Sequence, residues 1–569
     1  MNDASGEFYV SYDARGRARW IVKKIADPIN GVLTPFRFAM TYDSADRVTW
    51  LTYPDDDRLV YEYNERRLVE RIRGGASANL DDYPHIVNAV EYASSGQTLQ
   101  TVYGNGIATD RGYDARQRLV ATTSAPVSGP PILDYRYQFD AVSCLTRIDD
   151  LRPAEARPAG DPLRNTQQFS YDDVYRLTGV QYSFDPPGTD PGIDGQIAYR
   201  YDRIGNMLSA TSDIAHVENG LSLTNLGAMG YGGSAGPSGR IGRSPSDPPG
   251  PHALTSVEDG ARAYDYDGNG NMVAIEGKTC TYDFRDRLVL VEDDTMRARY
   301  IYDFNGARTI KKVWTKDPVS GALSDEPSTV VRYIDKMFEV RDFDQPIKYV
   351  YNGDTRVARV TGSLNPDGYW VQRFRVLEGW NLFVMVVRTG DAVAQLGLEK
   401  DPNIEAMFGY NAATGKFSRL NASSSLKAGS VFWIKATNPD MLEVRGKHTD
   451  PDTDRVTLDP GGDWFFAQSL EAAHWGTDLP PQISRTWAYD AFEQAWQPHL
   501  TENWSFLSEP LDFAAPGQPI YVSLFESADV EIAKPEQRIC YYHQDHLGSS
   551  NVIADANGNI QREEVYYPF

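Results

Sequence analysis

Apolar and polar residues alternate along this chain in short runs of period two. Tyr199-Arg200-Tyr201 and Ala263-Tyr264-Asp265-Tyr266 are examples. This is the pattern of a half-buried β-strand, whose successive side chains point to opposite faces. A Tyr-Asp pair repeatedly closes such a run. The series includes Tyr12-Asp13-Ala14-Arg15-Gly16-Arg17, Tyr42-Asp43, Tyr113-Asp114, Tyr171-Asp172, Tyr201-Asp202, Tyr264-Asp265, Tyr282-Asp283 and Tyr302-Asp303, with a Tyr61-Glu62-Tyr63-Asn64 variant. Spacing is often about 20–30 residues, within the range of repeat architectures.

Each unit reads as a β-hairpin. Tyr ends one strand, and Asp bonds to backbone amides in the turn. Gly or Asn supplies a residue with positive φ, and Arg-Leu or Asn-Met opens the return strand. Arg can reach the turn Asp, and rows of Tyr and Leu can stack on neighbouring units. One hairpin cannot bury its apolar face, whereas a stack of hairpins can. The predicted fold is all-β: a long spiralling antiparallel sheet of these hairpins that forms a hollow or partial shell, with almost no helix.

The pattern has interruptions. Residues 225–250, rich in Gly, Pro and Ser, read as a long flexible loop. Residues 76–100, 121–134 and 153–166 read as shorter connections. Residues 371–535 break the repeat and carry a duplication of their own, over about 371–450 and 455–535. Gly379-Trp380-Asn381-Leu382-Phe383 corresponds to Gly462-Asp463-Trp464-Phe465-Phe466, and Val431-Phe432-Trp433-Ile434 to Pro519-Ile520-Tyr521-Val522. The expected organisation is a repeat wall over 1–370, an inserted pair of small β modules over 371–535, and a further segment over 536–569. Trp380, Trp433, Trp464, Trp487, Trp496 and Trp504 concentrate in the insertion. They suit either its core or a sugar-stacking surface, and the core is the commoner use.

Charge narrows the partners. With 56 basic and 79 acidic residues the formal charge is −23, against the basic footprint of a nucleic-acid binder. No apolar run reaches the roughly 18 residues of a membrane-spanning helix. The three cysteines, Cys144, Cys280 and Cys540, form neither a disulfide framework nor a zinc motif. The N-terminus lacks the basic and apolar regions of a signal peptide.

Candidate chemistry is sparse. Asp265-Tyr266-Asp267-Gly268-Asn269-Gly270 with Glu276 matches a calcium-loop pattern. Its flanks alternate as strands rather than helices, so the hairpin reading is preferred and calcium is the alternative. His543, Asp545 and His546 could suggest a metal site, but on a strand 543 and 545 share a face and 546 points away. A structural hydrogen-bond network is preferred there, and no cofactor is expected. No nucleophile elbow, phosphate loop or zinc-protease motif occurs.

The ordered Tyr-Asp series resembles the YD repeats of the RHS (rearrangement hot spot) family. Pro251-His252-Ala253-Leu254-Thr255-Ser256-Val257 is similar to the segment that introduces a late repeat, and Tyr349-Val350-Tyr351-Asn352-Gly353-Asp354-Thr355-Arg356-Val357-Ala358 to the strand pair near the start of its core. Tyr541-Tyr542-His543-Gln544-Asp545-His546-Leu547-Gly548-Ser549-Ser550, with Asp555-Ala556-Asn557-Gly558-Asn559 and Tyr566-Tyr567-Pro568-Phe569, looks like the opening of the RHS-associated core domain. The resemblance implies a bacterial, secreted or cell-surface β-shell that encloses its own C-terminal toxin domain and works with secretion or toxin-complex components. It also implies self-cleavage near a DPxG-type motif. Asp459-Pro460-Gly461-Gly462 is a superficial match that lies upstream of His543, so the expectation is a non-enzymatic wall without the cleavage residues or the toxin. The alternative is a surface adhesion protein whose Trp-rich insertion contacts glycans or a cell-surface receptor.

Overall fold

The computed structural model describes residues 2–3, 6–75, 84–153, 165–184, 194–214, 217–218, 221–222, 224–232, 250–258, 262–324, 327–342, 345–364, 369–411, 413–448, 455–466, 473–474, 482–500, 513–514, 517–531 and 538–564. Among these, nearly every regular element is a strand, and the one helix is the four-residue turn Ala392–Gln395.

The repeats build a single antiparallel sheet of 32 strands. Strands pair with their neighbours in sequence: Gly6–Tyr12 with Ala18–Ala26, the latter with Leu33–Tyr42, and so on to Gln345–Asn352 and Thr355–Thr361. A side hairpin, Val217–Glu218 with Leu221–Ser222, stands apart, so Met207–Ser212 pairs with Gly227–Gly232. Thr355–Thr361 then pairs directly with Arg538–Gln544, Ala358 opposite Tyr541, and the sheet runs on through Ser550–Ala554 to Ile560–Glu563. The intervening segment is therefore an insertion that leaves the ladder intact.

The ribbon curls for a local reason. Where a strand ends in Tyr-Asp, the register slips by one residue, as at Ser11/Tyr12, Gly112/Tyr113, Ser170/Tyr171, Arg200/Tyr201, Thr281/Tyr282 and Ile301/Tyr302. A bulge bends its strand and increases right-handed twist. Repeated at one end of successive hairpins, the bend accumulates into a spiral. Hydrogen bonds and ion pairs between residues 260 to 307 positions apart record its overlap. Lys23 pairs with Asp303 at 3.4 Å, Tyr53 donates to the Tyr349 carbonyl at 3.0 Å, and Asn352 donates to Tyr92 Oη at 3.2 Å. Early strands meet late strands in preserved order, so the second turn lies face to face over the first.

That overlap has two seams. In one, Ile25, Phe36, Phe38, Ile72, Val87 and Tyr103 pack against Ile310, Phe338, Val350, Val360 and Ile539. In the other, Thr109, Ser124, Asp150 and Arg152 are buried beneath His543 and Glu563. Between them the wall carries smaller clusters, around Val180, Tyr182 and Ile197 and around Cys280, Val291 and Ala298.

Several boundaries differ from the sequence reading. The loop expected over 225–250 begins later, because Gly227–Gly232 is a strand; residues 233–249 lie outside the described set. The connections expected at 76–100 and 121–134 hold the strands His85–Tyr92, Thr98–Tyr103 and Leu119–Pro126. In the last of these the buried positions are Thr122 and Ser124, so an inward face made of hydroxyl residues hid the alternation. Positive φ is supplied not only by glycines such as Gly16 and Gly205 but by Asp46, Arg67, Gln117, Tyr175 and Asp286. The Asp anchor and the ladder hold the turn whichever residue takes that strain.

The insertion consists of two β modules of one design. The first has a four-stranded sheet ordered Gly379–Val384, Val431–Ala436, Ile404–Asn411, Lys416–Arg419. The second repeats that order as Asp463–Phe466, Pro519–Leu524, Ile483–Asp490, Ala495–Leu500. Each also has an outer strand pair, Tyr369–Val376 with Asp440–His448 and Arg455–Leu458 with Ala528–Glu531.

Candidate functional site

The Tyr-Asp-x-x-x-Arg repeat is a two-way staple. Within a unit, Asp13 Oδ1 accepts the backbone N–H groups of Arg15 and Arg17 at 2.9 and 3.0 Å, and Oδ2 accepts Arg17 Nε at 2.7 Å. The same set recurs at Asp114, Asp172 and Asp283 with Arg118, Arg176 and Arg287. At Asp202 the partner is Asn206, and at Asp303 the donors are the backbone of Asn305 and Ala307 within the unit and Lys23 Nζ from the other turn. Charge-assisted bonds of this kind favour the ionised acid. The Arg17 side chain and the turn amides hold the Asp13 carboxyl down to about 2, and those of Asp172 and Asp283 also lie below the ordinary range.

Between units, the same Arg reaches forward. Arg17, Arg118, Arg176 and Arg287 donate to the carbonyls of Asp43, Asp140, Asp202 and Asp303. Arg17, Arg176 and Arg287 also lie over the rings of Tyr42, Tyr201 and Tyr302 at 4.7 to 5.0 Å, where cation–π attraction operates. Each Tyr hydroxyl reaches back to the carbonyl just beyond an earlier turn: Tyr42 to Ala18, Tyr113 to Thr98, Tyr171 to Leu145, Tyr201 to Leu177, Tyr282 to Met272 and Tyr302 to Leu288. Tyr12, in the first complete unit, is largely exposed.

The calcium-pattern residues do not converge. Asp267 anchors its own turn through the N–H groups of Asn269 and Asn271, and Asn269 donates to Asp286. Glu276 accepts from Tyr264 Oη and Arg262, while Asp265 is exposed on the strand. No cluster of three His, Cys, Asp or Glu able to hold a metal occurs among the described residues.

The 543–548 segment lies over the polar seam. His543 is fully buried, with Nδ1 3.2 Å from Thr109 Oγ1, which in turn is 2.7 Å from Ser124 Oγ, and with the Tyr103 ring 4.9 Å away. Burial, with Arg111 nearby, pushes its pKa down to about 3, so the ring is neutral. Asp545 is not on the strand face with His543: it opens the turn and accepts the N–H groups of Leu547 and Ser549. The His546 ring packs tilted against Tyr137 at 4.7 Å, Leu547 is exposed, and Gly548 takes the positive φ. A cavity of about 600 Å³ adjoins this segment, lined among others by Tyr103, Arg111, Tyr113, Asn352 and His546. Tyr566 to Phe569 lie outside the described residues.

Buried charge joins the turns, and the sequence reading did not identify it. Arg152 pairs with Asp150 and, at 2.9 Å, with Glu563. Asp27 is shared by Arg332 at 3.2 Å and Arg375 at 2.7 Å, which ties the first module to the wall. Lys348 pairs with Asp55 and Asp57. Apart from Asp150, two residues from Arg152, these partners lie hundreds of residues apart, and nothing local in the sequence links them.

The insertion's tryptophans face one another across the two modules. Trp433 of the first module meets Tyr489 and Trp496 of the second at 4.6 and 6.0 Å, and within the second Trp464 meets Trp496 at 5.9 Å. Gln494 of the second module bonds the backbone of Trp380. Trp504 lies outside the described residues, and Asp459-Pro460-Gly461-Gly462 is a turn whose Gly461 N–H bonds the Leu524 carbonyl.

No family model matches the chain. Toxin subunit YenC1 of Yersinia entomophaga is 27% identical over 254 residues, which is 40% of this chain and 24% of that protein. The chain thus spans about a quarter of the length of this curated relative. Two solved structures, crystal structures of TcdB2-TccC3-TEV and TcdB2-TccC3-Cdc42, match with TM-scores of 0.50 and 14% identity, over 99% and 98% of this chain and 20% of theirs. The chain is therefore similar in part of its sequence to a toxin subunit and shares the all-β fold of these toxin-complex structures.

Proposed function

We propose that this chain is a wall segment of a toxin-complex shell of the RHS type, which encloses a C-terminal effector without itself being a catalyst. The observation that carries this reading is the unbroken 32-strand ladder wound until its second turn covers its first. A continuous ladder has few free edges, and a covered seam closes a wall to macromolecules by geometry rather than by affinity. The effector, the delivery components and the bacterial, secreted setting rest on the similarity to a toxin subunit. In a protein that carries this chain together with a C-terminal effector region, limited proteolysis should cut the insertion first and leave that region intact while the wall persists. Digestion of that region at the rate of an unfolded control would count against enclosure.

The adhesion reading draws less support, because Trp433, Trp464 and Trp496 are engaged with each other and with Tyr489 and Tyr521. A glycan array probed with the whole chain tests it, and specific binding lost on Trp496→Ala would revive it.

A further inference from the structure

Lys348 is an amine sealed inside the apolar seam. Its strand pairing sets Phe338 and Val360 beside it, both fully buried. Its Nζ lies 2.5 Å from Asp55 Oδ2 and 2.8 Å from Asp57 Oδ2, and donates to the Gly362 carbonyl at 2.7 Å. The three side chains are 0%, 1% and 1% exposed, so no bulk water reaches them.

The two acids are held differently. Asp57 is anchored at both oxygens, Oδ1 by Ser363 Oγ at 2.9 Å and Oδ2 by the Leu364 N–H at 2.7 Å. Asp55 has one long backbone bond, from Asp57 N at 3.3 Å, besides Lys348. Detaching a carboxyl oxygen from Asp55 would strand no donor but the amine, whereas doing so at Asp57 would strand Ser363 and Leu364.

We propose that Lys348 and Asp55 condense into an intramolecular isopeptide bond, with Asp57 as the proton acceptor. Lys348 gives a proton to Asp57, and the neutral Nζ attacks Cγ of Asp55 in its acid form. The C–N bond forms, the C–OH bond breaks, and the hydroxyl leaves as water with the proton relayed through Asp57. Overall an ammonium and a carboxylic acid become an amide and one water, the remaining proton stays on Asp57, and there is no redox change. Holding the reactants in contact removes the entropy of encounter, and an apolar site lets the product water leave without solvating the groups that made it. Burial lifts the Asp55 carboxyl to about 6, even against the pull of Lys348, so the neutral acid is accessible. The bond would join a loop of the first turn to a strand of the second, 293 residues apart, and fasten the overlap covalently.

The test is the intact mass of the purified chain under denaturing conditions. The expected mass is below that of the sequence by one water. A tryptic digest should contain a branched peptide joining the segments of Asp55 and Lys348, with no cleavage after Lys348. Lys348→Arg and Asp55→Ala should restore the full mass, and Asp57→Asn should slow or abolish the loss. A wild-type chain of full sequence mass would overturn the proposal. So would a water loss that maps to a succinimide at an aspartate rather than to a branched peptide.

Discussion

The two seams of the overlap do the same job with opposite materials. The first, where strands up to Tyr103 meet those around Phe338 and Val350, is built from side chains that exclude water. The second, where strands from Ile107 to Arg152 meet residues 543–563, adds hydroxyls, imidazoles and an ion triad to buried apolar residues such as Val552. An apolar seam is held by area and volume and tolerates small shifts. A polar seam is held by the matching of donors to acceptors, and is stable only in one register. The difference places positional specificity at the strands that follow the insertion. There the ladder resumes after a long detour and must return in the right register, Ala358 opposite Tyr541.

The largest effect should come from the apolar side. Phe338 is fully buried and touches Phe38 and Tyr53 at ring-centroid distances of 6.1 Å. Phe338→Ala should cost about 4 kcal/mol in urea unfolding through lost burial and a residual cavity. A cost below that of an exposed-site control would mean that the turns do not pack there. On the polar side, Arg152→Ala leaves the buried carboxylates of Asp150 and Glu563 without their counter-charge, and should cost about 3 kcal/mol. If the polar seam alone fixes the final strands, hydrogen exchange in 538–563 should rise in Arg152→Ala while exchange around Ile72 stays slow.

This contrast also explains what the sequence made legible. The hairpins could be read from Tyr171-Asp172 through Arg176 because the staple is local: every bond inside a unit lies within five residues. The duplicated insertion could be read because Trp433 and Tyr521 sit at equivalent strand positions of the same sheet order, opposite Leu382 and Trp464. The seams could not be read, since Lys348 meets Asp55 only after a full turn whose pitch depends on many summed bulges. Leu119–Pro126 escaped notice because its inward residues, Thr122 and Ser124, mimic a loop in composition. In the 543–548 segment the strand assumption put Asp545 on the face of His543, whereas Asp545 opens a turn.

A pH effect also distinguishes the seams. His543 has a folded pKa of about 3 against about 6.5 for a free imidazole. The unfolded chain therefore binds the extra proton between these values. The stability it contributes is complete above the upper value and is lost as pH falls toward the lower one. The limiting slope is about 1.4 kcal/mol per pH unit. His543→Leu should flatten the acid limb of a stability–pH curve, and an unchanged limb would show that the ring is solvated.

The smallest and sharpest test is one substitution made twice. Thr34 and Thr109 are both β-branched, both on strands and both fully buried. Thr34 lies in the apolar seam beside Phe36, and its Oγ1 finds no hydrogen bond among the described residues. Thr109 lies in the polar seam and links Ser124 to His543. Valine matches threonine in shape but removes the hydroxyl. At Thr34 it removes only a buried group with no partner, so Thr34→Val should stabilise the chain by about 1 kcal/mol. At Thr109 it strands Ser124 and the His543 ring, so Thr109→Val should destabilise by a similar amount, about 1 kcal/mol. Opposite signs in denaturant midpoints would separate the two seams with shape held constant. Equal signs would mean that the hydroxyls under the final strands are packed as methyl-like groups, and that register there is set by Arg152 alone.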